Sequence, residues 1–169
     1  MDVIETSRLK LRELTEADTA FVVQLLNEPD FIRFIGDRGV RTPEDAAHWI
    51  ESGPQANYAR LGFGHYAVEL KGTGEAIGIC GFRTREGLEM PDLGYALLEQ
   101  HRSRGYAAEA AQAALQYAAA TLGLRRVAAI CAPDNLPSRA ILDKLGFTYE
   151  QTTRLPGEDH DVLVYTIGI

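Results

Sequence analysis

The spacing of apolar residues predicts a strand and two helices in the first third of the chain. Apolar and charged residues alternate over Ser7–Leu14, as they do in a half-buried strand. A helix is predicted from Thr15 to about Asn27, because the threonine can cap it and an acid follows three positions later. A second helix is predicted from Thr42, and the pair Gly53-Pro54 is expected to stop it.

The remainder of the chain alternates between strand-like and helix-like patterns. Strands are predicted over His65–Leu70, Glu75–Phe82, Asp92–Leu98, Arg126–Ala132, Phe147–Thr152 and Val162–Ile169, with one helix ending at Gly123 and another over Pro137–Gly146. A tight glycine turn joins the first two of these strands into an antiparallel hairpin. The strand-helix-strand crossover in the middle should place two strands parallel. The fold class is therefore α/β (α+β), with a mixed and mostly antiparallel sheet flanked by helices.

Composition bounds the class of protein. The chain has 169 residues, 46% of them hydrophobic, which fits a single domain over residues 1–169. No apolar run approaches the roughly 20 residues that cross a bilayer, and the N-terminus does not resemble a signal peptide, so a cytoplasmic protein without membrane contact is expected. Cys80 and Cys131 lie in strand-like runs and are interpreted as buried, reduced thiols. No metal site is predicted. The net charge of -7 argues against a nucleic-acid partner.

A basic, glycine-containing turn precedes the most alanine-rich helix. Arg102, Arg104 and Gly105 lie between a predicted strand and this helix, an arrangement that directs free N-terminal amides at an anion such as phosphate. The two arginine side chains are expected to attract this anion together with the amides. The sequence has no GxxxxGK[ST] pattern and no GxGxxG after its first strand, which argues against nucleoside triphosphate hydrolysis. An exposed arginine-rich turn before an ordinary helix remains the alternative interpretation.

Several short motifs together resemble one known family. The hexapeptide RSRGYA at 102–107 is similar to the [Gln/Arg]-x-x-Gly-x-[Gly/Ala] motif of the GNAT superfamily of acetyl-CoA-dependent N-acetyltransferases. Further similarity lies at 135–138 (NLPS) and 144–147 (KLGF), and segments 5–12, 77–81 and 92–95 resemble the branch of ribosomal-protein N-terminal (alanine/serine) acetyltransferases. This resemblance implies a central sheet of about six to seven strands in which the parallel pair is splayed.

The resemblance also implies which residues bind acetyl-CoA. The pyrophosphate would contact the backbone of Arg102, Ser103, Arg104, Gly105, Tyr106, Ala107 and Ala108, and the pantetheine arm would pair with the backbone of Ala96, Leu97 and Leu98. Asn135 and Ser138 would approach the thioester, with Ser138 as the candidate general acid. Many family members have a tyrosine for that role where this chain has Leu142. Asp92 is a second, weaker catalytic candidate.

The acceptor is expected to be a primary amine. An α-amine of pKa near 8 is about one-tenth neutral at pH 7, whereas a lysine needs a stronger base. Acids and one histidine that could lie near the acceptor are Glu89, Asp92, Glu158, Asp159, Asp161 and His160, and with the net charge they suggest a cationic substrate or peptide. A protein or peptide N-terminus is preferred, with small-molecule amines as an alternative. A catalytically weak CoA-binding sensor or scaffold and a nucleotide-binding protein are the competing functions, and both monomer and homodimer are open.

Overall fold

One mixed sheet organises the chain, and the computed structural model describes all residues from 1 to 169. Its strands are β1 (Asp2–Glu5), β2 (Leu9–Arg12), β3 (His65–Leu70), β4 (Ala76–Arg83), β5 (Asp92–Leu97), β6 (Arg126–Cys131), β7 (Thr148–Thr153) and β8 (Val162–Gly168). The helices are α1 (Thr19–Leu26), α2 (Pro29–Phe34), α3 (Pro43–Ile50), α4 (Ala56–Leu61), α5 (Tyr106–Ala120) and α6 (Leu136–Leu145). The strand order is β1-β2-β3-β4-β5-β6-β8-β7. None of the helices combines the length and apolar character that crossing a bilayer requires.

The predicted mixed, mostly antiparallel sheet is confirmed, but it has eight strands. The single strand predicted over Ser7–Leu14 is shorter, and β1 pairs with it as an additional antiparallel strand. The turn between them is closed by Thr6, whose hydroxyl accepts a hydrogen bond from the Leu9 amide at 2.9 Å. A four-residue strand such as β1 is too short to show a clear period, so the sequence pattern did not reveal it.

The two parallel strands, β5 and β6, pair at one position only and then diverge. β5 and β6 are in register only at Asp92 and Ala128, whereas β4 and β5 pair along six positions. The Ala128 amide donates to the carbonyl of Pro91 at 3.0 Å. Beyond this point the backbone edge of β5 that faces β6 has no strand partner, and a gap opens through the sheet.

The prediction that Gly53-Pro54 ends the second helix is wrong. After α3 the chain continues through a π-helical turn at Glu51–Gln55 into α4, with Pro54 buried inside that turn. A π turn has a wider spacing than an α turn, and proline has no amide to leave unpaired, so the helical path persists past it. A further short helix, α2, begins with Pro29 at its first position.

Apolar residues form one core on each face of the sheet. Helix α5 packs a stripe of alanines against the strands, with Ala110, Ala111, Ala114 and Ala118 all buried, and the small side chains allow close approach. On the opposite face, α1, α2 and α3 cover a second cluster. The two cysteines are free and buried, as predicted.

Candidate active site

Six consecutive backbone amides at the start of α5 donate no hydrogen bond within the protein. They extend from Ser103 to Ala108, and the first amide of this helix to find an acceptor is that of Glu109, which donates to the Gly105 carbonyl at 3.0 Å. Ser103 and Gly105 both have positive φ, at 61° and 83°, which turns successive amides toward one side of the loop. Such a concave set of amides at a helix N-terminus fits an anion of the size of a pyrophosphate.

Arg8, at the turn before β2, supports this loop from outside. Its Nε lies 2.9 Å from a carboxylate oxygen of Glu109, its Nη1 donates to the Arg104 carbonyl at 3.1 Å, and its guanidinium lies 4.4 Å from the centre of the Tyr106 ring. These contacts fix both the loop and the first turn of α5. Sequence reasoning missed Arg8, because its partners are about one hundred residues away in the chain.

The structure places the two loop arginines in different surroundings. Arg102 is held by Glu28 at 2.9 Å and Asp30 at 2.7 Å, and its Nε donates to the carbonyl of Leu97 at 3.1 Å. Its charge is therefore largely committed to fastening the loop to the start of α2. Arg104 forms no ion pair and is exposed, but it does not line the cleft described next.

A cleft of about 510 Å³ lies beside these amides. The unpaired edge of β5, the amide loop, α2 and α6 form its walls, and the predicted cofactor residues that line it are Ala96, Leu97, Arg102, Ser103, Gly105, Tyr106, Ala107, Ala108 and Asn135. Leu98 does not line it, because its amide bonds to the Ile77 carbonyl at 2.8 Å and its side chain is buried in the core under α1 and α3. The cleft runs from the amide loop to the split between β5 and β6.

A second cavity of about 150 Å³ meets this cleft at the split in the sheet. Tyr95, Ala96 and Asn135 border both spaces, and Ser138 borders only the second. A thioester that reaches the end of the first cleft would thus face a molecule in the second. We refer to the two spaces below as the cofactor cleft and the acceptor cavity.

Ser138 is paired with a tyrosine that the sequence analysis did not select as catalytic. The hydroxyl oxygens of Tyr95 and Ser138 lie 3.0 Å apart, and the Ser138 amide donates to the Asn135 side chain at 3.3 Å. Burial raises the pKa of the Tyr95 phenol well above its usual value, so the phenol keeps its proton at neutral pH. Leu142, where the family resemblance led us to expect a tyrosine, is buried, lines the same cavity and has no proton to donate.

The candidate acids are divided between the cavity and the surface. Asp92, Glu158 and His160 line the acceptor cavity, whereas Glu89, Asp159 and Asp161 do not. Asp92 is almost completely buried, and its Oδ2 lies 3.3 Å from Nε of Arg85. Burial raises the pKa of Asp92, although the nearby arginines oppose this shift.

A histidine that sequence reasoning did not select also borders the acceptor cavity. Burial, reinforced by neighbouring arginines, lowers the pKa of His65 to about 3, so its imidazole is neutral and a poor base. Across the whole chain, no three His, Cys, Asp or Glu side chains converge as a metal ion would require.

The fold and the two joined cavities define a CoA-dependent acyltransferase. Residues 8–148 match the family model described as "Acetyltransferase (GNAT) domain", and the chain therefore belongs to the GNAT acetyltransferase family. The resemblance predicted from the motifs is confirmed, and acetyl-CoA is the co-substrate.

Relatives and solved structures agree with this assignment over nearly the whole chain. The uncharacterized N-acetyltransferase YoaA of Bacillus subtilis is 28% identical over 98% of this chain and 96% of its own. An acetyltransferase structure from Agrobacterium tumefaciens is 30% identical, with a TM-score of 0.82 over 97% of this chain and 92% of that chain. RimL, described as a ribosomal L7/L12 alpha-N-protein acetyltransferase in complex with coenzyme A, shares the fold at 22% identity and a TM-score of 0.75, covering 100% and 98% of the two chains.

Proposed function

We propose that this enzyme transfers the acetyl group of acetyl-CoA directly to a primary α-amine held in the acceptor cavity. The observation that carries this proposal is the meeting of the cofactor cleft and the acceptor cavity at Tyr95, Ala96 and Asn135. The six free amides fit the pyrophosphate, and the unpaired edge of β5 offers backbone groups to the amide-bearing pantetheine arm. The bound co-substrate supplies an activated acetyl thioester.

Direct transfer is favoured over an acetylated enzyme. The one thiol that borders the acceptor cavity is Cys131, and burial raises its pKa to about 11. A neutral thiol is a weak nucleophile, so Cys131 has little tendency to take the acetyl group first. The acceptor amine then forms the new C–N bond as the C–S bond breaks, and the leaving thiolate needs one proton.

The Tyr95–Ser138 pair is suited to provide that proton. The two hydroxyl oxygens are 3.0 Å apart, and the Tyr95 hydroxyl also lies 3.3 Å from the Ser138 carbonyl oxygen. One hydroxyl can therefore donate to the other, which leaves one proton that could be passed to the thiolate. A phenol is more acidic than an aliphatic hydroxyl, and we assign the proton to Tyr95, with Ser138 relaying or orienting it. This role for Tyr95 extends the assignment of Ser138 as general acid. It would also explain how the site works with leucine and not tyrosine at position 142.

Asp92 is better placed to position a neighbour than to act as the base. It lies three residues before Tyr95 on β5, about 10 Å along an extended strand. A general base must come within about 3 Å of the proton it removes, or reach it through one water. We therefore propose that Asp92 holds Arg85, and that an α-amine, about one-tenth neutral at pH 7, reacts without a dedicated strong base.

A protein or peptide N-terminus is our proposed source of the α-amine. It is supported by the motif resemblance to the ribosomal-protein branch and by the lack of a strong base that a lysine acceptor would need. A thiol-release assay with acetyl-CoA, over peptides, amino acids, polyamines and aminoglycosides, tests the function. We expect release that depends on an acceptor with an α-amine, and acetylation at that amine by mass spectrometry. CoA binding without acceptor-dependent thiol release over the whole panel would contradict the proposal.

A further inference from the structure

Three arginines meet in the acceptor cavity with few partners of opposite charge. Arg38 follows α2, Arg83 ends β4 and Arg85 follows two residues later, and all three line the cavity. Only Arg85 forms an ion pair, with Asp92. Arg38 and Arg83 donate no hydrogen bond to the protein, and Nε of Arg83 is buried without a partner.

Unpaired guanidinium groups in a cavity are costly, because arginine does not lose its proton in proteins. Burial, reinforced by the charge of Arg85, lowers the pKa of Arg83 to about 10. The pKa of Arg38 is lowered by the same two causes, although this residue is exposed. The carboxylates of Asp92 and Glu158 are the only acids that line the cavity, so positive charge is in excess there.

We infer that the acceptor carries a carboxylate or phosphate group near its α-amine, and that Arg83, assisted by Arg38 and Arg85, binds this group. The identity of the bound molecule as acceptor rests on the proposed function. Guanidinium forks match the oxygen pairs of carboxylate and phosphate. The cavity of about 150 Å³ holds on the order of five water molecules, which suits one small anionic group beside the amine.

The inference replaces the expectation of a cationic acceptor. That expectation came from the net charge of -7, which averages over the whole surface. The cavity itself has the opposite local charge. The anionic group could belong to the side chain of an acidic first residue in a peptide. It could instead be the carboxylate or phosphate of a small amino compound. The acceptors used in the test distinguish these two sources.

Binding can be measured without turnover, because Trp49 is the single tryptophan and lines the same cavity. The 169-residue protein, saturated with CoA, is titrated with succinate and with inorganic phosphate at constant ionic strength while Trp49 fluorescence is recorded. We expect a saturable change with at least one anion, weakened about 10-fold or more by Arg83→Gln. The control is Arg60→Gln, an exposed arginine on α4 outside the cavity, which should titrate like the wild type.

Turnover tests the acceptor with matched pairs that differ by one charge. Peptides beginning with Asp or Asn, and free glutamate or glutamine, are compared by kcat/KM. We expect the acidic member of at least one pair to be preferred by about 10- to 100-fold, and Arg83→Gln to bring that ratio toward one through the KM of the acidic acceptor. Preference for Asp peptides alone identifies a peptide side chain as the anion, and preference within the free pair identifies a small molecule.

The outcomes separate the two proposals. Saturable anion binding that depends on Arg83, without acetylation of any acceptor, supports the anion site and contradicts the proposed function. Acetylation of α-amines with no preference for the acidic partner, together with no effect of Arg83→Gln on the Trp49 titrations, supports the function and overturns the inference. Circular dichroism and the melting temperature establish that each variant is folded before either comparison is made.

Discussion

Replacing Gly105 by aspartate should separate cofactor binding from folding. Gly105 is the N-cap residue of α5, has φ of 83° and lies among the six free amides. An added Cβ would meet only Nη2 of Arg8, at 3.3 Å, so the end of this flexible side chain must shift by a few tenths of an ångström to make room. A non-glycine residue in this conformation costs about 1 to 2 kcal/mol, and aspartate tolerates it better than most.

The effect on acetyl-CoA binding should be larger than the effect on stability. At about 6 Å and an effective dielectric constant of about 40, one carboxylate repels one phosphate charge by about 1.4 kcal/mol. The two charges of a pyrophosphate therefore contribute about 3 kcal/mol, which corresponds to about 100-fold weaker binding. Nη2 of Arg8 lies close to the new carboxylate and offsets part of this repulsion, so a loss of between about 10- and 100-fold is expected.

Calorimetric titration with acetyl-CoA measures the loss, and Gly123→Asp is the matched control. Gly123 follows the far end of α5, has φ of 71° and has no heavy atom within 4 Å of its added Cβ. Both variants should lose about 1 to 2 kcal/mol of stability, but only Gly105→Asp should bind acetyl-CoA more weakly. A folded Gly105→Asp variant with wild-type affinity, or an equal loss in Gly123→Asp, would refute the phosphate site.

Three further predictions concern catalysis, pH dependence and sheet packing. Ser138→Ala and Tyr95→Phe should each lower kcat by about 10² to 10⁴-fold with nearly unchanged acetyl-CoA affinity. The double variant should be little worse than either single variant, since the pair acts as a unit. Additive losses in steady-state kinetics would show that the two residues have independent roles. His65 has a folded pKa of about 3 against 6.5 when unfolded, so the unfolded state gains the proton first and the wild type should lose about 2 kcal/mol between pH 7 and pH 5. Urea denaturation at the two pH values should show a smaller loss of unfolding free energy in His65→Gln than in the wild type. Equal losses in the two proteins would contradict this prediction. A Cβ on Gly78 would lie 2.3 Å from the Ala96 carbonyl oxygen, so Gly78→Ala should cost about 3 kcal/mol or more, whereas Gly72→Ala, with open space around it, should stay within about 0.5 kcal/mol in the same assay.

The elements that sequence predicted well are those whose signals are local. The strand before Arg102, the loop and the alanine-rich helix follow one another without interruption, so their periods and caps identified these three elements. The anion site at their junction stays a prediction. The π turn at Glu51–Gln55 was missed, because a Gly-Pro pair ordinarily ends a helix. Pro54 is buried within this turn, and burial depends on residues far away in the chain.

The roles of single side chains in the site were harder to predict than its location. Arg102 was expected to face phosphate, but its partners Glu28 and Asp30 lie more than seventy residues earlier. No spacing rule connects them, and only the folded arrangement shows that the charge is already neutralised. The free amides of the same loop could be predicted because helix geometry alone leaves them unpaired, and their binding of phosphate stays a prediction.

The charge of the acceptor cavity also depends on residues that are distant in the sequence, so the sequence did not predict it. Net charge describes the average field around the molecule, and a value of -7 indicates a preference for cations at long range. The cavity brings Arg38 and Arg83 together from a loop and a strand that are distant in sequence. Specificity depends on this local charge, because interactions of partly buried groups are screened much less than those at the surface.

The proposed general acid would let the site keep its chemistry although one position has changed. The family resemblance led us to expect a tyrosine on α6 where this chain has Leu142, and the motif alone therefore indicates a weakened site. Tyr95 on β5 is 43 residues before Ser138, yet its hydroxyl reaches the same serine across the split in the sheet. What the reaction requires is a protonated hydroxyl beside the leaving sulfur, and a strand residue that faces α6 can provide it as well as a helix residue that faces β5.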